Sequence, residues 1–195
     1  PGFTEIVPDL FGGAELAELL EPLKAAARST LPVLLIGETG TGKERMARAT
    51  HALSERAGPF LAVNCAALPE SLAEAELFGY RRGAFTGAER ASPGYFRAAH
   101  GGTLFLDEMP ELSPALQAKL LRVLEDGQVM GLGEATGTVV DVRIVSASQR
   151  PLRELVAQGL IRQDLAARLN GLELRIPPLE ARRGDVAALF TQFVQ

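Results

Sequence analysis

Seven consecutive residues, Gly37-Glu38-Thr39-Gly40-Thr41-Gly42-Lys43, fit the spacing G-x-x-x-x-G-K. Glycines at those positions let backbone N–H groups close around phosphate oxygens at a helix N-terminus, where the helix dipole favours anions. Lys43 adds a point charge for β- and γ-phosphates, so the ligand implied is ATP. The next residue, which in many such loops is a Ser or Thr bound to Mg²⁺, is Glu44. A second pair of residues completes the chemistry. Asp107 and Glu108 follow the apolar run Thr103 to Leu106. Asp107 is suited to hold Mg²⁺ through its water shell, because that ion keeps several waters and takes one or two carboxylates. Glu108 beside it can orient and deprotonate an attacking water, which makes the expected reaction nucleotide hydrolysis. Two solvated acids at a strand end would explain the second pair alone, but not its occurrence together with Lys43.

These groups need a scaffold that holds loop, acid and base at one edge. Pro32 to Ile36 is a continuous apolar run, as expected of a strand buried on both faces of a parallel sheet. Phe60 to Val63 reads as a second buried strand, and Thr103 to Leu106, Val142 to Ala147 and Leu172 to Ile176 as a third, fourth and fifth strand. Between them lie helical patterns over 43–56, 69–77, 151–158 and from Ser113-Pro114 onward, the last with Leu116, Leu120, Leu121 and Leu124 facing inward. An earlier pattern, Ala14 to Ser29, contains Pro22, which should kink or split it. After Pro177-Pro178 the pattern changes, and Gly184 to Val194 begins another helix. Strands alternating with helices indicate a parallel α/β sheet with ligands at the carboxyl ends of its strands.

Composition sets bounds on partners. The 195 residues are 47% hydrophobic and 23% charged, an ordinary globular balance. A net charge of -4 offers no electrostatic footprint for nucleic acid. The single cysteine, Cys65, rules out an internal disulfide framework and fits a reducing cytoplasm. No apolar run approaches the ~20 residues that cross a bilayer, so no membrane role is expected. The chain begins with Pro1, and the expectation is a segment of a longer protein. His51 and His100 lack a second ligand at metal spacing and are expected to be structural.

One motif has no evident structural purpose. Gly83-Ala84-Phe85-Thr86-Gly87-Ala88 exposes an aromatic ring and a hydroxyl between small residues, without helical or strand period. Preceded by Glu76-Leu77-Phe78-Gly79-Tyr80-Arg81-Arg82, it resembles the surface loop of bacterial enhancer-binding proteins, the AAA+ activators of sigma-54 RNA polymerase. Glu44 agrees, because GETGTGKE resembles the form of the loop in which Glu holds that position. The resemblance runs from about Phe11 to Arg183, with its motifs in order.

That resemblance implies a three-layer P-loop NTPase of AAA+ type, with a mostly parallel central sheet of about five strands. The ATPase core would span 1–177, and 178–195 would open a truncated helical lid. It implies that Gly83 to Ala88 bind sigma-54, and that the chain forms a homo-oligomeric ring of six or seven subunits. Enhancer DNA would be met only through a domain outside this chain. Asn64, which the residues alone read as a turn former, corresponds to the family's switch that hydrogen-bonds the catalytic Glu. Arg162-Gln163-Asp164-Leu165-Ala166-Ala167-Arg168-Leu169-Asn170 resembles the arginine-finger segment, whose two arginines enter the neighbouring subunit's ATP site. Ser148-Gln149-Arg150 stands where the family usually has a Thr-Asn sensor of the γ-phosphate, and the role is open to either Ser148 or Gln149. Gly131-Leu132-Gly133-Glu134 departs from the family's second surface loop, which spans Met130 to Val140. Two alternatives from other classes are a non-hydrolysing nucleotide-dependent scaffold, supported only by Gln149, and a different AAA+ machine.

Overall fold

Five short strands lie side by side in one parallel sheet, with helices packed on both of its faces. The computed structural model describes residues 4–7, 10–12, 14–183 and 185. In chain order the elements are a hairpin of β1 (Thr4–Val7) and β2 (Leu10–Gly12), then α1 (Ala14–Glu18), α2 (Leu20–Ala27) and β3 (Val33–Ile36). They continue with α3 (Lys43–Leu53), β4 (Phe60–Asn64), α4 (Glu70–Phe78), α5 (Gly94–Ala98), β5 (Thr103–Asp107) and α6 (Pro114–Asp126). A small hairpin of β6 (Gln128–Val129) and β7 (Thr138–Val139) precedes β8 (Arg143–Ser148), α7 (Leu152–Ala157), α8 (Gln163–Leu169) and β9 (Leu172–Arg175). The central sheet has the order β4-β5-β8-β3-β9, with every pair parallel.

The alternation along each strand explains the continuous apolar runs. Leu34, Ile36, Leu104, Leu106 and Ile144 enter the core on one side, together with residues of α4, α6, α7 and α8. Val33, Leu35, Phe105, Val145 and Ala147 enter the core on the other side, with α2 and α3. β3 and β5, buried along both faces, have no side left for polar residues, whereas the outer strand β9 keeps Glu173 and Arg175 exposed. The result is helix, sheet and helix in three layers.

Several boundaries differ from the sequence expectation for local reasons. The split in the 14–29 pattern falls at Leu19, so Pro22 sits in the first turn of α2, where its missing N–H costs no helical bond. The helix expected over 43–56 stops at Leu53, with Ser54 as its C-cap and Glu55 left-handed at φ 55. Both hairpins and α5 are too short to show a period in sequence. Apart from Asp185, the helix expected over 184–194 lies outside the described residues. Among the described residues no helix is long and apolar enough to cross a membrane.

Candidate active site and surface loop

Strand order brings the chemistry together. The registers pair Asn64 with Asp107, Leu106 with Ser146, and Ile36 with Ser148. The Gly37 N–H extends that ladder by donating to Ser148 O at 3.1 Å. Asn64, Asp107, Ser148 and Gly37 thus end neighbouring strands along one carboxyl edge. From Gly37 the chain turns at Glu38, where Thr41 Oγ1 donates to Glu38 O at 2.9 Å, and enters α3 through Gly42. Gly42 has φ 96, a left-handed conformation that glycine adopts without strain, and α3 starts at the next residue, its first N–H groups without helical partners.

Lys43, only 5% exposed, lies within this loop. Its Nζ donates to Gly37 O at 2.9 Å and Glu38 O at 3.3 Å, and lies 3.4 Å from Glu108 Oε1. Gln149 Nε2 donates to the same Glu108 oxygen at 3.1 Å. Of the two sensor candidates, Ser148 turns its hydroxyl to Arg150 O at 2.6 Å, and Gln149 is the one that reaches the acid. Glu108 itself is left-handed at φ 49, an unusual conformation for a non-glycine that costs of order 1–3 kcal/mol and clusters at functional sites. Asp107 accepts the Glu108 N–H at 3.0 Å. Burial raises the Asp107 carboxyl above its ordinary range; Lys43 opposes that rise and Glu108 adds to it. The neighbouring Cys65 thiol is pushed up to about 12, chiefly by burial with Asp107 and Glu108 adding to it, so it is an inert neutral group.

Two expected site residues meet other partners. Asn64 Oδ1 accepts the Ala66 N–H at 3.0 Å, the contact of a turn former, although the ladder places the residue beside Asp107. Glu44 is exposed and pairs with Arg48 one turn along α3, at 2.8 Å. Thr39 and Gly40 are exposed at the loop surface.

The site's residues suit ATP and Mg²⁺. The space a Cβ would occupy at Gly40 and Gly42 is empty to 4 Å, so the backbone of the loop is open to a ligand. Among the described residues no three His, Cys, Asp or Glu side chains cluster as a metal cage. A divalent cation would therefore rest on Asp107 together with ligand phosphates, the usual arrangement for Mg²⁺. Sequence reasoning missed Arg182, which is buried and donates to Thr41 O at 2.9 Å and to Pro177 O at 2.9 Å. It ties the end of the described chain to the phosphate loop.

The two arginines expected to act as fingers are bound within their own chain. Arg162 makes a two-pronged contact with Asp164, at 3.0 and 2.6 Å. Arg168 Nε and Nη2 donate to Leu124 O, a free carbonyl in the last turn of α6, at 3.2 and 2.8 Å. Arg168 also borders a cleft of about 450 Å³ with Arg56, Asp141 and Arg143. That cleft opens where β3 and β8 begin, away from the carboxyl edge. Arg143 there donates to the carbonyls of Ala26 and Leu31 at 2.8 and 3.0 Å, so it is structural.

The Gly83 to Ala88 loop is folded back on its base. Gly83 N–H donates to Ala88 O at 2.8 Å and Ala88 N–H to Phe85 O at 3.0 Å, with Gly83 and Gly87 at φ 79 and 98. Ala88 is buried and anchors the loop, whereas Phe85 and Thr86 are exposed. The Phe85 ring leans on Tyr80 at 5.0 Å. Tyr80 bridges to Ser92 and Leu132, and Arg81 N–H donates to Leu132 O at 3.1 Å. The second loop therefore packs on the base of the first. A bidentate contact of Arg97 with Glu134 braces it, and Gly131 N–H donates to Glu134 at 2.9 Å.

A doubly covered parallel sheet with this phosphate loop and acid pair defines a P-loop NTPase of AAA+ type. Within that class the chain belongs to the family of the Sigma-54 interaction domain, whose profile matches residues 11–175. It is 51% identical over 180 residues to a Nif-specific regulatory protein of Rhodobacter capsulatus, covering 92% of this chain and 31% of that protein. It is also 51% identical over 193 residues to the nitric oxide reductase transcription regulator NorR2 of Cupriavidus necator, covering 98% of this chain and 37% of the regulator. The chain thus spans about a third of the relatives it matches. Among solved structures, NtrX from Brucella abortus superposes with a TM-score of 0.84 at 36% identity, over 93% of this chain and 41% of NtrX. A structure of NtrX in complex with ATP superposes with a TM-score of 0.83 at 37% identity, over 95% and 42%.

Proposed function

We propose that this chain is the ATP-hydrolysing core of a sigma-54-dependent transcriptional activator. In this reading, hydrolysis in a homo-oligomeric ring drives the Gly83 to Ala88 loop against sigma-54 and remodels the closed polymerase complex. The observation that carries the chemistry is the convergence of Lys43 and Gln149 on Glu108 at the mouth of the phosphate loop. Lys43 and the first N–H groups of α3 bind the phosphates, and Asp107 would hold Mg²⁺. Bound Mg²⁺ supplies neutralising charge for the phosphoryl group in transfer. Glu108 takes the proton of the attacking water. Gln149 senses the γ-phosphate, and Asn64, one strand away, switches the set of Glu108.

Arg162 and Arg168 leave Asp164 and Leu124 O to stabilise the transition state in the neighbouring subunit. Residues 1–177 form the core and 178–195 open the helical lid. The ring has six or seven subunits, works in the cytoplasm, and meets enhancer DNA through a segment outside this chain.

The test of the activator reading is capture of sigma-54 by the full-length protein carrying a transition-state analogue of ATP, run beside a phosphate-release assay. Phe85→Ala and Thr86→Ala should keep substantial ATPase activity, because neither residue contacts Lys43, Asp107 or Glu108 in the contacts described above. Capture should weaken by at least about tenfold, as expected when an aromatic anchor is removed from an interface. Normal capture by both variants would sink the activator reading and leave an AAA+ ATPase of another client.

A further inference from the structure

Gln117, on the inward face of α6, is 1% exposed, and its amide is filled from three directions. Nε2 donates to Leu112 O at 2.8 Å and to Leu160 O at 2.9 Å, while Oε1 accepts the Arg162 N–H at 3.0 Å. The partners set the orientation of the amide: two carbonyls require its NH₂ group, and an N–H requires its oxygen. Leu112 closes the turn that begins at Glu108, through Glu111 N–H to Glu108 O at 3.0 Å and Leu112 N–H to Met109 O at 3.1 Å. Leu160 and Arg162 belong to the segment between α7 and α8. One buried side chain therefore spans from the turn after Glu108 to the backbone of Arg162.

The exposed Arg162 guanidinium is held by Asp164 only two residues along, a contact that travels with its own segment. Its position relative to the rest of the subunit is set by the backbone, which the Gln117 oxygen anchors. We propose that Gln117 is a positioning residue for Arg162, fixing where each subunit presents that arginine to its neighbour. The inference rests on the reading of Arg162 as acting in trans.

The experiment uses the full-length protein with Gln117→Met, which keeps the size of the side chain and removes the amide. Turnover should fall about a hundredfold, the loss that ~1 Å of misplacement brings to a catalytic group. ATP affinity should match the parent, since Lys43 and its loop are untouched, and that match also reports a folded core. If Gln117→Met does not bind ATP, Gln117→Asn takes its place, because it keeps an amide one methylene too short. The deciding step mixes the Gln117 variant with a Glu108→Gln chain, whose finger is intact and whose own site is inactive. Interfaces that join an intact site to an intact finger should restore turnover to about a quarter of the parent in an equal random mixture. A purely structural role for Gln117, or one confined to its own subunit's site, would give no restoration. An Arg162→Ala chain mixed in the same way is the control. Restoration with Arg162→Ala but not with the Gln117 variant would overturn this inference alone. No restoration with either would overturn the trans-acting arginine and this inference with it.

Discussion

Replacing Glu108 by Gln separates two effects of one carboxylate. Its Oε1 lies 3.4 Å from Lys43 Nζ and 3.1 Å from Gln149 Nε2, with side-chain exposures of 5% for Lys43 and 16% for Glu108. For Lys43 to reach phosphate oxygens this pair must open, so part of the ATP binding energy goes into breaking it. Hydrogen bonds to charged groups contribute about 1.5–3 kcal/mol. At this length, with Lys43 also bonded to the Gly37 and Glu38 carbonyls, about 1 kcal/mol is the appropriate magnitude. Glutamine keeps the shape and the acceptor oxygen but removes the charge. ATP should therefore bind about fivefold more tightly to Glu108→Gln than to the parent. Turnover should fall by about 10²–10⁴, the usual contribution of a positioned general base. Calorimetric titration with ATP at neutral pH, beside phosphate release under single-turnover conditions, measures both. Unchanged or weaker affinity in a folded variant would refute the competition between Glu108 and phosphate for Lys43. Turnover near the parent value would show that another group activates the water.

Lys43→Ala should abolish the thermal shift that ATP gives the parent. At a hundredfold excess over Kd, binding adds about 2.7 kcal/mol of stability. For a chain of this size that is a rise in Tm of about 5–11 °C; an equal rise in the variant would remove the phosphate-loop assignment. The brace on the second loop should depend on pH. Hydrogen bonds from Arg97 hold the Glu134 carboxyl below the ordinary range, burial opposes them, and the Gly131 N–H helps. The contribution of a group depressed in this way is present above its ordinary value of about 4.3 and is lost as pH falls through the lowered one. Glu134→Gln should accordingly speed hydrogen exchange at Gly131 at neutral pH, and the difference from the parent should shrink as the pH is taken below about 4.3. Equal protection at neutral pH would mean that the brace does not hold the loop.

The elements that could be read from sequence are those whose signal is local and repeated. The apolar runs ending at Ile36 and Leu106 mark strands with both faces covered, and α6 carries Pro114 in its first turn behind a Ser113 cap whose Oγ accepts the Leu116 N–H. The hairpins at 4–12 and 128–139 and the five-residue α5 escaped, since two to five residues cannot display a period. In the site, Lys43, Asp107 and Glu108 were legible because phosphate binding needs closely spaced residues between a strand and a helix. Gln117 and Arg182 were not. A Gln between two apolar helix positions, and an Arg after a proline pair, look like surface residues until their distant carbonyl partners are known.

The sequence by itself determined the alternation of strands and helices, the phosphate loop, the acid pair and the exposed Phe85-Thr86 motif. Each of these is encoded within a few neighbouring residues. Only the tertiary structure decided that the strand order is β4-β5-β8-β3-β9, and so that Asn64, Asp107, Ser148 and Gly37 share one edge. An apolar run says that a strand is covered on both faces, but not which strand lies beside it. The same order lets Gln149 and Lys43 meet at Glu108, across separations of 41 and 65 residues. Such contacts depend on how helices and strands pack in space, and no local run of residues carries that information.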